Sequence, residues 1–126
     1  MNKIVILESE EILLSAIEFR LKKQGYQVLY CPKSSDILGF ISSEKPGMLI
    51  VDLDMKKKTG LHIIEKLRKA YTSPLGILLV ADPEDEESIM VAFELKVDDF
   101  LPKPFKPAEL FLRARRIMNN QLNNTI

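Results

Sequence analysis

The sequence predicts an α/β domain, a doubly wound parallel sheet of five strands with helices on both faces. Short apolar runs alternate along the chain with segments of helical spacing, the pattern of successive β-α units. The run Leu49, Ile50, Val51 is apolar without alternation, as a strand buried on both faces must be. At 126 residues the five units fill the chain, leaving room for one domain only.

KIVIL, Lys3 to Leu7, is the first strand. The segment after it carries Ile12, Leu13, Ala16, Ile17, Phe19 and Leu21 at helical spacing, and Gly25 ends that helix. YQVLY, 26–30, alternates and forms the second strand. Ser34 is placed to cap a second helix bearing Ile37, Leu38 and Ile41, and Pro46-Gly47 breaks the chain before the third strand, which ends at Asp52. Gly60 opens a third helix with Leu61, Ile63, Ile64 and Leu67. LGILLVA, 75–81, is the fourth strand. An amphipathic fourth helix over 84–95 follows, carrying Ile89, Met90, Phe93 and Leu95. The acidic run from Asp82 to Glu87 lies where negative charge complements that helix's dipole. DDFLP, 98–102, is a short fifth strand, and a last helix over about 107–121 follows Pro104 and Pro107. The domain is expected to span 1–121, with residues 122–126, at the end of the Asn-rich stretch NNQLNN (119–124), a tail or the start of a linker.

Lys plus Arg and Asp plus Glu both number 18. The chain therefore lacks the positive excess that non-specific nucleic-acid binding needs, and direct nucleic-acid binding by this segment is not expected. The single cysteine, Cys31, excludes an internal disulfide framework, and no apolar run approaches the roughly 18 residues of a membrane span. The expected setting is a reducing cytoplasm, away from membranes.

Acids at the ends of buried strands call for an explanation. In open parallel sheets, ligands bind beyond the carboxyl ends of the strands where strand order reverses. Glu8 ends the first strand and Asp52 the third. In the flavodoxin-like order 2-1-3-4-5 those strands are neighbours, so the two carboxylates converge, and Lys103 beyond the fifth strand reaches the same rim. Two acids and a lysine at a crevice suit a hard cation and a phosphoryl group. Taken singly, each acid reads equally well as a cap on its loop or helix. LESEE after the first strand has no glycine, which argues against a nucleotide-binding phosphate loop. His62 lacks metal-ligand spacing and reads as a surface residue, and Lys56-Lys57-Lys58 reads as a solvated loop.

From Lys3 to about Met118 the order of segments resembles the receiver domain of two-component response regulators. The matching features are Glu8, the Gly25-Tyr26 turn, the LIVD strand with Asp52, Gly60 eight residues later, and DDFLPKPF at 98–105. The resemblance implies that Asp52 is a phosphoacceptor, taking a phosphoryl group from a sensor histidine kinase or phosphotransfer protein. It further implies that Lys103 contacts the phosphoryl group, with Pro104 after a cis peptide bond. Magnesium would be held by Glu8, Asp52 and the backbone carbonyl of Asp54. Such a domain is a signalling switch, not an enzyme, with no chemistry beyond its own phosphorylation and dephosphorylation. The last helix, PAELFLRARRIM, resembles that of receivers that form homodimers through the fourth helix, fifth strand and fifth helix, with Asp99 and Arg113 as charge partners.

Two positions depart from the family pattern. Ser9 stands where a second acid is usual, so magnesium is expected to bind weakly, with Ser9 a poor ligand or acting through a water. At the end of the fourth strand, where the family carries a hydroxyl that moves on phosphorylation, this chain has Ala81 or Val80, depending on how the strand is matched. The aromatic partner position is Phe100. An alternative reading follows, a pseudo-receiver that binds partners without being phosphorylated.

Overall fold

The chain alternates strand and helix throughout the residues that the structure, a computed structural model, describes: 2–7, 11–31, 36–53 and 59–124. In order these are β1 (Lys3–Leu7), α1 (Glu11–Lys23), β2 (Gln27–Cys31), α2 (Ile37–Glu44), β3 (Met48–Asp52), α3 (Thr59–Ala70), β4 (Gly76–Ala81), α4 (Glu86–Glu94), β5 (Asp99–Pro102) and α5 (Pro107–Asn124). The five strands form one parallel sheet in the order β2-β1-β3-β4-β5, which is the flavodoxin-like arrangement expected. β1 lies between β2 and β3, with Ile6 opposite both Tyr30 and Ile50.

The two-residue period of a strand sends alternate side chains to opposite faces, and the central strands feed two separate cores. Val5, Leu7, Leu49, Val51, Leu79 and Ala81 pack on one side with Ile37 and Ile41 of α2, Ile64 and Leu67 of α3, and Ala92 of α4. Ile4, Ile6, Met48, Ile50, Leu78 and Val80 pack on the other with Ile17 and Leu21 of α1 and with Leu110, Ala114 and Ile117 of α5. Every residue of β3 and β4 is buried, which is why neither strand needs polar alternation.

Element ends depart from the sequence reading in ways that side-chain chemistry explains. The cap of α2 is Asp36, whose carboxylate accepts the Gly39 N–H at 3.0 Å, in place of the expected Ser34, which lies outside the described residues. Aspartate and serine cap equally well, so spacing alone did not separate them. α5 runs on to Asn124, past the expected end near 121; once its buried stripe has nucleated a helix, further polar residues extend it at little cost. Phe19 is 67% exposed and Met90 66%, so both fall outside the stripes they were assigned to. Gly25, at φ 93°, supplies the left-handed turn that ends α1. Among the described residues no helix is long and apolar enough to cross a membrane.

Candidate functional site

Asp52 is the last residue of β3, opposite Val80 in β4, and the ladder continues one step beyond it where the Leu53 N–H donates to Val80 O at 2.8 Å. The carboxylate is thus carried to the rim on a strand fixed from both sides. Beneath it, α3 begins close against the strand. A Cβ on Gly60 would lie 3.1 Å from Val51 Cγ1 and 3.3 Å from Asp52 O, so a glycine allows this approach.

Lys103 reaches the same point from β5. Its own N–H donates to Ala81 O at 2.9 Å, which continues the β4–β5 ladder, and the Lys103–Pro104 peptide is cis, as expected. Its Nζ lies 2.8 Å from both Asp52 Oδ1 and Oδ2. Asp52 is only 8% exposed. A carboxylate so far out of water is tolerated when a cation and hydrogen bonds offset its desolvation, and the ammonium across both oxygens does so.

The two candidate switch positions separate cleanly. Ala81, fully buried, belongs to the core on the α2–α4 side, where Phe100 also packs, partly buried. Val80 belongs to the opposite core, beside α5. Ala81 and Phe100 therefore share a side of the sheet, and neither Ala81 nor Val80 offers a hydroxyl. Glu8, Ser9 and Asp54, the other expected cation ligands, lie outside the described residues, as does the Lys56-Lys57-Lys58 loop. Among the described residues no three His, Cys, Asp or Glu side chains converge as a metal cluster.

Asp99 and Arg113 do pair, within one chain: Arg113 Nη1 donates to Asp99 Oδ1 at 3.0 Å and to Oδ2 at 3.1 Å. Arg116, which sequence reasoning did not single out, joins the same carboxylate. Its spacing of three from Arg113 on one helix was the available signal. His62 is exposed, as expected. Arg68 was also missed; its guanidinium lies at the opposite end of the sheet, where it donates to the carbonyls of Leu75, Leu95 and Lys96.

Residues 4–115 match the family described as the response regulator receiver domain. The chain is similar to the signal receiver domain of a response regulator from Bermanella marisrubri, at 29% identity and a TM-score of 0.80, covering 92% of this chain and 97% of that one. It is similar also to the receiver domain of the TMAO respiratory system response regulator TorR, at 26% identity and a TM-score of 0.80, with 94% and 97% covered. A third similar structure is the N-terminal domain of the nisin resistance regulator NsrR, a lantibiotic response regulator, at 26% identity and a TM-score of 0.77, with 92% and 97% covered.

Proposed function

The chain belongs to the response regulator receiver domain family, and from that premise we propose that Asp52 accepts a phosphoryl group from the histidine of a sensor kinase or phosphotransfer protein in the cytoplasm. The observation that carries this reading is the contact of Lys103 Nζ with both oxygens of a buried, strand-end carboxylate at 2.8 Å. One Asp52 oxygen forms a bond to phosphorus as the bond from phosphorus to the donor's imidazole nitrogen breaks. The imidazole leaves with that electron pair and takes a proton from solvent. Lys103 then exchanges a carboxylate oxygen for a phosphoryl oxygen, serving as a point charge throughout.

A strand-end carboxylate is a hard oxygen donor of the kind magnesium takes. Magnesium, when bound, supplies positive charge against the phosphoryl oxygens. Glu8, the Asp52 carboxylate and the Asp54 carbonyl would hold it, with Ser9 contributing weakly or through a water. The domain's output would be a change in partner binding at the face of α4, β5 and α5, homodimerisation included. Asp99 is engaged there by Arg113 and Arg116 of its own chain, so a dimer using this pair would have to exchange those contacts.

A specific observation favours the second reading, the pseudo-receiver: Ala81 has no hydroxyl to report on the state of Asp52. The reading of Asp52 as phosphoacceptor is preferred because both nucleophile and lysine are present and in contact. Incubation with acetyl phosphate and magnesium should add one phosphoryl group by intact mass, and Asp52→Asn should abolish the addition. An unmodified mass under conditions that label an ordinary receiver would select the pseudo-receiver.

A further inference from the structure

Arg68 lies on the flank of α3, and its guanidinium is engaged with main-chain carbonyls of three residues. Nε donates to Leu95 O at 3.0 Å, Nη1 to Leu75 O at 3.0 Å and Nη2 to Lys96 O at 2.7 Å. Asp98 stands 3.7 Å from Nη2 and accepts the Ile77 N–H at 2.7 Å, so the same cluster is tied to the start of β4. Burial pulls the Arg68 pKa below its ordinary value against the opposing charge of Asp98, consistent with a fork held partly out of water.

The Leu95 and Lys96 carbonyls close the C-terminal end of α4, where a helix has no internal partners for its last carbonyls. Lys96 takes up the left-handed conformation there, at φ 62°, without being glycine. The opposite end of α4 is held differently. Among the described residues its first turn is capped only from its own preceding loop, by the Asp85 carboxylate accepting the Ser88 N–H at a long 3.4 Å and the Asp85 carbonyl accepting the Ile89 N–H at 3.1 Å. Among the described residues the hydrogen bonding that restrains α4 is thus lopsided, while Ser88 in its first turn is held by burial. A planar fork from another helix adds to the local bonds at the base of the sheet, where the Lys96 N–H donates to Phe93 O at 2.9 Å, while among the described residues only local bonds serve the end at the rim, which begins at Glu86, five residues after Ala81.

We propose that Arg68 is the fulcrum of α4. It fixes the helix's C-terminal end to α3 and to the start of β4, so that movement of α4 is a swing of its N-terminal end, beside the rim that carries Asp52 and Lys103. The inference rests on packing at the base of the sheet and holds whether or not Asp52 is phosphorylated.

Amide hydrogen exchange on the unmodified full chain tests it without any phosphoryl chemistry, so its failure is distinct from failure of the phosphoacceptor reading. In wild type, protection should be greater at Leu95, Lys96 and Val97 than at Ser88 and Ile89. Arg68→Lys keeps the stem and charge but cannot fork across separate carbonyls. It should lower protection at Leu95–Val97 by roughly tenfold or more, and by more than in β3. Arg68→Gln should do the same to a larger extent; if that variant unfolds, Arg68→Lys decides. Equal protection at both ends of wild-type α4 would overturn the proposal. So would an Arg68→Lys profile matching wild type, or one in which β3 loses protection as much as Leu95–Val97 does, since that is general stabilisation and not a fulcrum.

Discussion

At the scale of single residues, the contact between Lys103 and Asp52 has an energetic meaning separate from any chemistry. Lys103→Met takes away the ammonium across a carboxylate that is nearly out of water, and should destabilise the fold by about 1–2 kcal/mol, below the range for fully buried pairs because the lysine is itself about one-third exposed. Asp52→Asn in that background should recover most of the loss, because the carboxylate is what needs the cation; urea melts of the two single variants and the double variant check this. Additive effects would mean that the pair is not coupled. Ser9 gives a second expectation, argued from sequence alone. Ser9→Asp adds an anionic oxygen at the position where the family carries a second acid, and should tighten magnesium binding by roughly tenfold or more, since ligand charge strongly tunes hard-cation sites. Without metal, the added carboxylate repels Glu8 and Asp52, so the variant should melt lower and regain the difference when magnesium is supplied. Equal magnesium affinities in titrations would show that a water, or the next carboxylate in the sequence, Glu10, already completes the set.

At the scale of elements, the missing hydroxyl and the Arg68 contacts bear on the same helix. A phosphoryl mimic such as beryllofluoride with magnesium should shift amide resonances near Asp52 and Lys103 more than those of α4 and β5. Ala81 has no group that distinguishes two states of the site, and a ligand moves a conformational equilibrium only through differential contacts. Large shifts throughout residues 85–100 would reveal another relay. What could be read in the sequence divides along similar lines. LIVD announced both a buried strand and an acid at its end, because burial on two faces forbids polar alternation. The cis Lys103–Pro104 peptide was legible only through the family resemblance, while Gly60 marked the close approach of α3 to β3 because a side chain there would crowd Val51 and Asp52. Periodicity finds α1 and α4 but does not say which neighbour covers which face, so Phe19, Met90 and Phe93 belong to the apolar pattern of these helices although the fold leaves them exposed. The Arg68 contacts were hidden for a further reason. Their acceptors are carbonyls of Leu75, Leu95 and Lys96, and a carbonyl carries no residue-specific mark in a sequence.

At the scale of the whole molecule, strand order sets what can form when. β1 pairs with β2 on one edge and β3 on the other, yet β3 starts only at Met48, well after β2 is complete. A chain emerging from the ribosome can therefore pair β1 with β2 first, leaving Ile4, Val5 and Ile6 along an open edge until the third strand leaves the exit tunnel. An unpaired apolar edge is a template for pairing with another chain. A fragment of residues 1–47 should accordingly self-associate at micromolar concentration, seen as light scattering that grows with time, and a separately prepared 48–126 fragment should suppress the growth by occupying the edge. A soluble, monomeric 1–47 fragment would show that the open edge is harmless. Until the third strand arrives, nascent chains expose the open edge of this domain's β1 to neighbours, and slowing translation across residues 32–52 should lengthen that interval.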